Sequence, residues 1–526
     1  MFNSLNLSKK LYALSLQKQL SAIVGLSGLL YWLIFSFPFP LTQLYQFVPP
    51  LDYAKLTSHS RVGFISYVLL ILALFSLYGL AIRLTVMTQA RSVKLSFWQI
   101  MLGALFLNLV LVVSYPLMAI DLFVYALRTR SWAWYDLNPL ATQPDMLPAS
   151  DPLLGLAGEW LDAASPYGSI WELTSLLAFY LTGGNFLAHL FALKLVAILA
   201  YAGICWFIYS FLKRHQPERM VRGTIIFAWN PLILLETAQN GHNDMLMSFF
   251  LLLTIWLATH QTLNQRLPRL ALLLLVLLSF VASILVKFVT LIIMPFLLLA
   301  LTHEERSWLI RLGQMIGLSL IICTLTMLAL YPLWPGLEQW AVLTAGSQAG
   351  RSLLTLLILS LRNFVGTNLA FDLSRALVLF GFSLIYLYLL WQIFRYKPTV
   401  SDENSLNVFR IYIRAMFYAL FWYVLLVAPV FHAWYLIWFL PLAPLLLPDP
   451  QPLHVGFVFS LTALLVIPYF ETIRVWYPYL LQNQWLGHLI GVSLLVLPPT
   501  LTALQIIRPQ LGLVNPNGRR ERFGGI

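Results

Sequence analysis

The stretch WQIMLGALFLNLVLVVSYPLMAIDLFVYALRTR, residues 98–130, decides the fold. From Trp98 to Met118 it carries no charge and is long enough to cross a bilayer's hydrocarbon core as a helix. It turns polar at Asp121, and Arg128 and Arg130 follow. An apolar run that ends this way reads as a membrane exit. A carboxylate there is costly to keep, so Asp121 is a functional candidate.

Outward from this stretch the pattern recurs along the chain. The 526 residues are 60% hydrophobic and only 10% charged, with mean hydropathy +0.80, which excludes an ordinary soluble domain. Apolar runs predict spans near 20–37, 64–82, 98–118, 186–212, 223–238, 244–260, 270–286, 288–301, 312–331, 376–394, 415–430, 433–447, 454–470 and 487–507. Those at 288–301 and 433–447 are short. Backbone groups in lipid must bond within the segment, and barrel-type alternation is absent. The predicted class is an all-α polytopic membrane protein of about 12–14 transmembrane helices, a single integral domain over 1–526. No fixed-period repeat is visible, which weighs against an inverted-repeat transporter.

The net charge of +12 would suggest nucleic acid in a soluble protein. Here the basic residues gather in short loops: Lys9, Lys10 and Lys18; Arg83, Arg91 and Lys94; Lys213, Arg214, Arg219 and Arg222; Arg266 and Arg269; Arg395, Lys397, Arg410 and Arg414; and the tail 508–526. On the predicted spans these all fall on one side, which is therefore cytoplasmic, as are both termini. Basic residues that orient the chain need no nucleic acid. The first apolar run lacks a small-x-small cleavage site and reads as an uncleaved span. Segment 170–183 is apolar too, but a span there would put the KRHQPERMVR loop outside. It is expected to lie along the membrane surface. Cys205 and Cys323 sit in apolar segments and suggest neither a disulfide framework nor a zinc site.

The opposite side is acidic and aromatic. The loop 119–169 holds Asp121, Asp136, Asp145, Asp151, Glu159 and Asp162 against Arg128 and Arg130. With 170–185 it forms an extracytoplasmic region 119–185 of amphipathic helices, with Trp132, Trp134 and Trp160 expected at headgroup level. A second outer region, 332–375, carries Trp334, Trp340, Arg351, Arg362 and Arg375.

The candidate chemistry lies on that side. Asp121 suits a general base that takes a proton from a sugar hydroxyl; the alternatives are a helix cap or a salt bridge to Arg128. Asn240–Asp244, NGHND, reads as a short outer turn after Glu236. Asn243 or Asp244 can cap the next helix, but His242 exceeds what a cap requires. Lys287, between two apolar runs outside, suits an anionic group such as a lipid phosphate, or else snorkels. Arg351 adds a second phosphate contact. His432 and Tyr435, in PVFHAWY, suit sugar or phosphate recognition, with an aromatic belt as the alternative reading. Lys194 and His189 lie within a span, with roles left open. P-loop, GxGxxG, HExxH and CxxC patterns are missing, so no cofactor is implied. An Asp/Glu/His set can hold a divalent metal, but nothing in the spacing selects that over hydrogen bonding.

Taken in order, AIDLFVYALR, SPYGSIW at 165–171, NPLILLE followed by NGHND, VKFVTLIIMPFLLL and HAWYL resemble the GT-C superfamily of polytopic glycosyltransferases, in its polyprenol-phosphate-mannose-dependent branch. The match runs over about 110–440; the terminal spans carry no matching motif. Ser169 stands where that branch commonly has Pro. The resemblance implies inverting transfer of a hexose, mannose in that branch, from a polyprenyl-phosphate carrier to a glycan or glycolipid acceptor at the outer face of the plasma (inner) membrane. It implies Asp121 as base, with His242, Asn243, Asp244, Lys287 and His432 near the donor phosphate or sugar. The competing function is a lipid-linked saccharide flippase or secondary transporter. A third is a non-catalytic subunit of an envelope-polymer complex.

Overall fold

The computed structural model describes residues 2–89, 95–260, 268–303, 305, 307–336, 350–395 and 405–504. The tail 508–526, Arg91, Lys94, Arg266, Trp340 and Lys397 lie outside the described residues. Of the described residues 81% are helical, and none lies in a strand. Among the described residues, nine helices are long and apolar enough to cross a membrane: Leu16–Ser36, Arg61–Val86, Phe186–His215, Arg269–Val286, Trp308–Leu333, Thr367–Arg395, Phe409–Val427, Gln451–Trp476 and Gln484–Leu504. Each coincides with an expected span. The protein is thus an all-α polytopic membrane protein.

The helices differ in what surrounds them. Trp308–Leu333 and Thr367–Arg395 are only 17% buried, whereas Arg269–Val286 and Gln451–Trp476 are 61% buried. The first two carry apolar faces on the periphery, where lipid can cover them. The second two form the centre.

The remaining expected spans are shorter or broken. The run 98–118 becomes the helix Phe97–Val112, started by a Ser96–Gln99 capping box. Just past its end the buried Lys194 Nζ donates to the Val112 and Ser114 carbonyls, which the helix leaves without partners. Pro116, with no N–H, then keeps the chain extended. This strand-like piece is held by Leu41 N to Val113 O at 2.8 Å and Tyr115 N to Phe39 O at 2.8 Å. It delivers the chain to Asp121.

The runs 223–238 and 244–260 meet at a sharp bend. Pro231–Gln239 and Asp244–Thr259 cross at 118°. Gly241 permits the bend, with φ +70 and with Leu122 and Lys194 so near that a Cβ would lie 3.0 and 3.1 Å from them. NGHND is therefore no surface turn; residues 240–244 are all buried. The run at 288–301 is a 3-10 segment, Phe288–Ile293, followed by the short α-helix Met294–Leu301, and the run at 433–447 is largely 3-10 in form.

The loop 119–169 packs over the bend as the helix Asp121–Tyr135 and two 3-10 turns, Pro144–Met146 and Leu154–Trp160. Arg130 Nε to Asp151 Oδ2 at 2.9 Å and Tyr135 Oη to the same oxygen at 2.7 Å hold it together. Trp134 is exposed, and Trp160 lines a cavity. Segment 170–183 forms the helix Ser169–Leu181, packed on Asp121–Tyr135 and on Arg269–Val286.

Candidate active site

Asp121 opens the helix Asp121–Tyr135 without a side-chain cap before it. The residue is 9% exposed, and its carboxylate finds no hydrogen bond or ion pair among the described residues. The alternative salt bridge is not formed. Arg128 instead donates to the Ala163 and Ala164 carbonyls, at 2.9 and 3.1 Å, and so ties the loop to its own helix. Burial pushes the Asp121 carboxyl above the ordinary carboxylate range; His242, Lys287 and Arg128 act against that rise, and Asp244 adds to it. A poised, unpaired carboxylate at a helix start suits proton transfer.

Asp121 faces a cavity of about 730 Å³. Arg351, His432 and Trp434 line it too, as do Asp52, Glu159, Trp160 and Glu471. Its size matches an ordinary small-molecule site. Aromatic rings with convergent carboxylates suit the apolar faces and hydroxyls of a sugar.

Arg351 is held in an unusual conformation, with φ +54. The cause is the chain either side of it: Gly350 N donates to Pro429 O at 3.1 Å and Phe431 N to Gly350 O at 3.0 Å. That pairing aims Arg351 into the cavity beside His432. Its guanidinium pairs with Glu471 and lies 5.7 Å from the Phe470 ring. A non-glycine residue at positive φ, locked by its neighbours, is a frequent mark of a working site.

Beneath the cavity the rings stack. His242 lies on Trp434 at 4.2 Å and Trp434 on His432 at 4.1 Å, nearly parallel. His242 Nε2 lies 3.1 Å from Glu236 Oε2, off the line of a good hydrogen bond. Burial disfavours the imidazolium, but Glu236, then Asp121 and Asp244, outweigh it and hold the His242 pKa above its usual value. His432 is the reverse: burial and the cations Arg351, Lys287 and His242 push it well down. The two imidazoles of the stack are thus shifted in opposite directions.

Asp244 begins the helix Asp244–His260 and accepts from Lys287 Nζ at 2.6 Å and from Trp438 Nε1. Lys287 sits among three rings, 5.5 Å from Tyr167, 5.4 Å from Tyr435 and 5.3 Å from Trp438. The SPYG turn places Tyr167 there. Gly168 N meets Val286 O, and a Cβ on Gly168 would lie 2.3 Å from the Leu285 carbonyl oxygen. Ser169 is the first residue of its helix, where a Pro would fit without losing a bond. Tyr125 Oη reaches Asn243 Oδ1 at 3.4 Å and Tyr167 Oη at 3.5 Å. Asn243 Nδ2, His242 Nδ1, Asp244 Oδ2 and Glu236 Oε1 are buried without a hydrogen-bond partner among the described residues.

All eight sequence candidates thus join one connected region. Asp121, Arg351 and His432 line the cavity; His242, Asn243, Asp244, Lys287 and Tyr435 form its underside. Lys194 and His189 stand apart: Lys194 binds backbone carbonyls, and His189 meets Ser175 O at 3.1 Å. Sequence reading missed Glu471 and the roles of Glu236, Trp438 and Tyr125. Glu236 and Glu471 were legible as lone acids within apolar runs. Among the described residues, no three His, Cys, Asp or Glu side chains converge as metal ligands.

Comparison with known families matches residues 23–303 to the N-terminal domain of the alpha-(1->6)-mannopyranosyltransferases. No curated protein and no solved structure matches the chain. The matched span is more than half of the 526 residues and includes Asp121, the SPYG turn, NGHND and Lys287. With its membrane helices and sugar-sized cavity, the chain belongs to the alpha-(1->6)-mannopyranosyltransferase family and is a membrane mannosyltransferase.

Proposed function

We propose that the enzyme moves mannose from a polyprenyl-phosphate carrier to a glycan or glycolipid acceptor on the outer face of the plasma (inner) membrane, with inversion. The termini are cytoplasmic in this reading, and the regions 119–185 and 332–375 are external. The observation that carries it is Asp121, a buried carboxylate without a partner among the described residues, facing a cavity that also holds Arg351 and His432.

In the reaction, the Asp121 carboxylate takes the proton of the acceptor hydroxyl. The acceptor oxygen bonds to the anomeric carbon as the bond from that carbon to the phosphate oxygen breaks. The polyprenyl phosphate leaves with the electron pair, so a β-linked donor gives an α-glycoside. Arg351 faces the leaving phosphate, and its charge stabilises what develops there, by about 3 kcal/mol for a well-placed contact. Arg351 exchanges Glu471 for the phosphate in that step. His432, neutral, hydrogen-bonds phosphate or sugar. Lys287, held by Asp244, acts on the site through its charge and through Tyr435.

The test is incubation of purified protein with polyprenyl-phosphate-mannose and, separately, polyprenyl-phosphate-glucose, measuring release of lipid phosphate in the presence of oligomannoside. Release from the mannose lipid is expected. Absence of release from both, by protein shown to be folded, would sink the donor class.

A further inference from the structure

Glu236 takes no part in the reaction just described, yet its position is unusual. It is fully buried in a five-residue π-helical turn, Leu235–Gln239, immediately before the bend. Such turns re-aim side chains within a helix and recur at functional sites. Here the turn points Glu236 back at the bend. Its Oε2 accepts from Asn240 Nδ2 at 2.7 Å and lies 3.1 Å from His242 Nε2; its Oε1 has no hydrogen-bond partner among the described residues. A carboxylate at 0% exposure is strongly disfavoured unless a cation compensates it, and His242 is the group placed to do so.

We propose that Glu236 is a positioning residue for mannosyl transfer: through His242 it fixes the His242–Trp434–His432 stack and sets a positive charge under Asp121. The proposal rests on the reading of Asp121 as base. The stack transmits orientation, because a ring held at one end by an ion pair cannot turn without unstacking its neighbours. The charge has a separate consequence. His242 is the leading charge that favours ionised Asp121 against the cost of burial. Without it the base would hold its proton at higher pH. The groups facing His242 are Glu236 from the π turn, Asp121 from the loop helix and Asp244 from the helix after the bend. Those facing Asp121 besides His242 are Lys287, Asp244 and Arg128. Only Glu236 is placed to compensate His242 without also lining the cavity or pairing with Lys287.

The test is the pH profile of kcat/KM for Glu236→Gln and, separately, His242→Gln, with Asp121→Asn measured alongside. Glu236→Gln keeps shape and removes charge, so its acid limb should move up by about one pH unit, the usual effect of losing one nearby opposite charge. Activity at neutral pH should fall and recover in part at higher pH. Glu236→Asp should restore part of the wild-type limb. His242→Gln should move the limb the same way, and the double variant should move it no further than either alone. A merely structural role would lower activity equally at every pH and leave the limb in place; that result overturns the proposal. If Glu236→Gln does not fold, an unmoved limb in His242→Gln overturns it instead. If Asp121→Asn keeps near-normal turnover, the base reading fails by itself, a result distinguishable from an unmoved limb.

Discussion

Lys287 Nζ lies 2.6 Å from Asp244 Oδ1, inside a wall made by Tyr167, Tyr435 and Trp438. Read from the sequence, Lys287 is a cation open to a phosphate and Asp244 a helix cap. The pair changes both roles. The lysine's first partner is the aspartate, and the aspartate's charge is what permits a cation in this apolar setting. Arg351, which lines the cavity, is left as the cation best placed for a phosphate.

Removing either partner should therefore unbalance the fold, and unequally. Asp244 is fully buried, while Lys287 is 16% exposed. Lys287→Met strands the carboxylate and should destabilise by about 3–5 kcal/mol, the range for breaking a buried pair. Asp244→Asn leaves a lysine that reaches water and should cost less. Thermal melts in detergent would order the two. A Lys287→Met protein as stable as wild type would return Lys287 to a ligand role alone.

Asp121→Asn should keep the fold, because no hydrogen bond or ion pair among the described residues depends on the carboxylate. Turnover should fall by about 10² or more, the usual contribution of a general base. Donor binding should be nearly unchanged, since the cations that face the phosphate remain. Near-normal kcat would remove Asp121 from the base role.

Much of this was legible in the sequence because lipid leaves few choices. Apolar runs such as 186–212 and 270–286 become helices wherever they are long enough. What was not legible is where such a run fails to stay one helix. The run 98–118 stops at Val112, where Pro116 has no N–H to offer the Val112 carbonyl and Lys194, some eighty residues later, donates to it instead. NGHND reads as a short outer turn, and its burial beneath the loop 119–169 depends on a contact between distant segments. The identities of the site residues were visible as charges that apolar surroundings do not explain. Their pairings were not, since Lys287 with Asp244, or Arg351 with Glu471, depends on contacts between distant segments.

Gly168→Ala tests how the SPYG turn serves the site. A methyl group would lie 2.3 Å from the Leu285 carbonyl oxygen, which is backbone and cannot swing aside. The turn must lift, and Tyr167 must leave Lys287. Overpacking of this kind costs about 1–3 kcal/mol. Activity should fall further than in Tyr167→Phe, which keeps the ring over the lysine. Equal activity in the two variants would mean that the close approach at Gly168 does not position the ring.

The loop 119–169 should loosen in acid, and Asp151 is the reason. Its carboxylate accepts from Arg130, Tyr135 and the Leu153 N–H, which together outweigh burial and hold its pKa below the usual value. A group with a depressed folded pKa contributes stability above its unfolded value, here 3.8, and loses that contribution as pH falls toward the folded one. Asp151→Asn should therefore melt below wild type at neutral pH, with the gap in Tm closing as the pH is taken below about 4. A gap of constant size from pH 7 to pH 3 would mean that shape, and not the charge of Asp151, holds Arg130 and the loop in place.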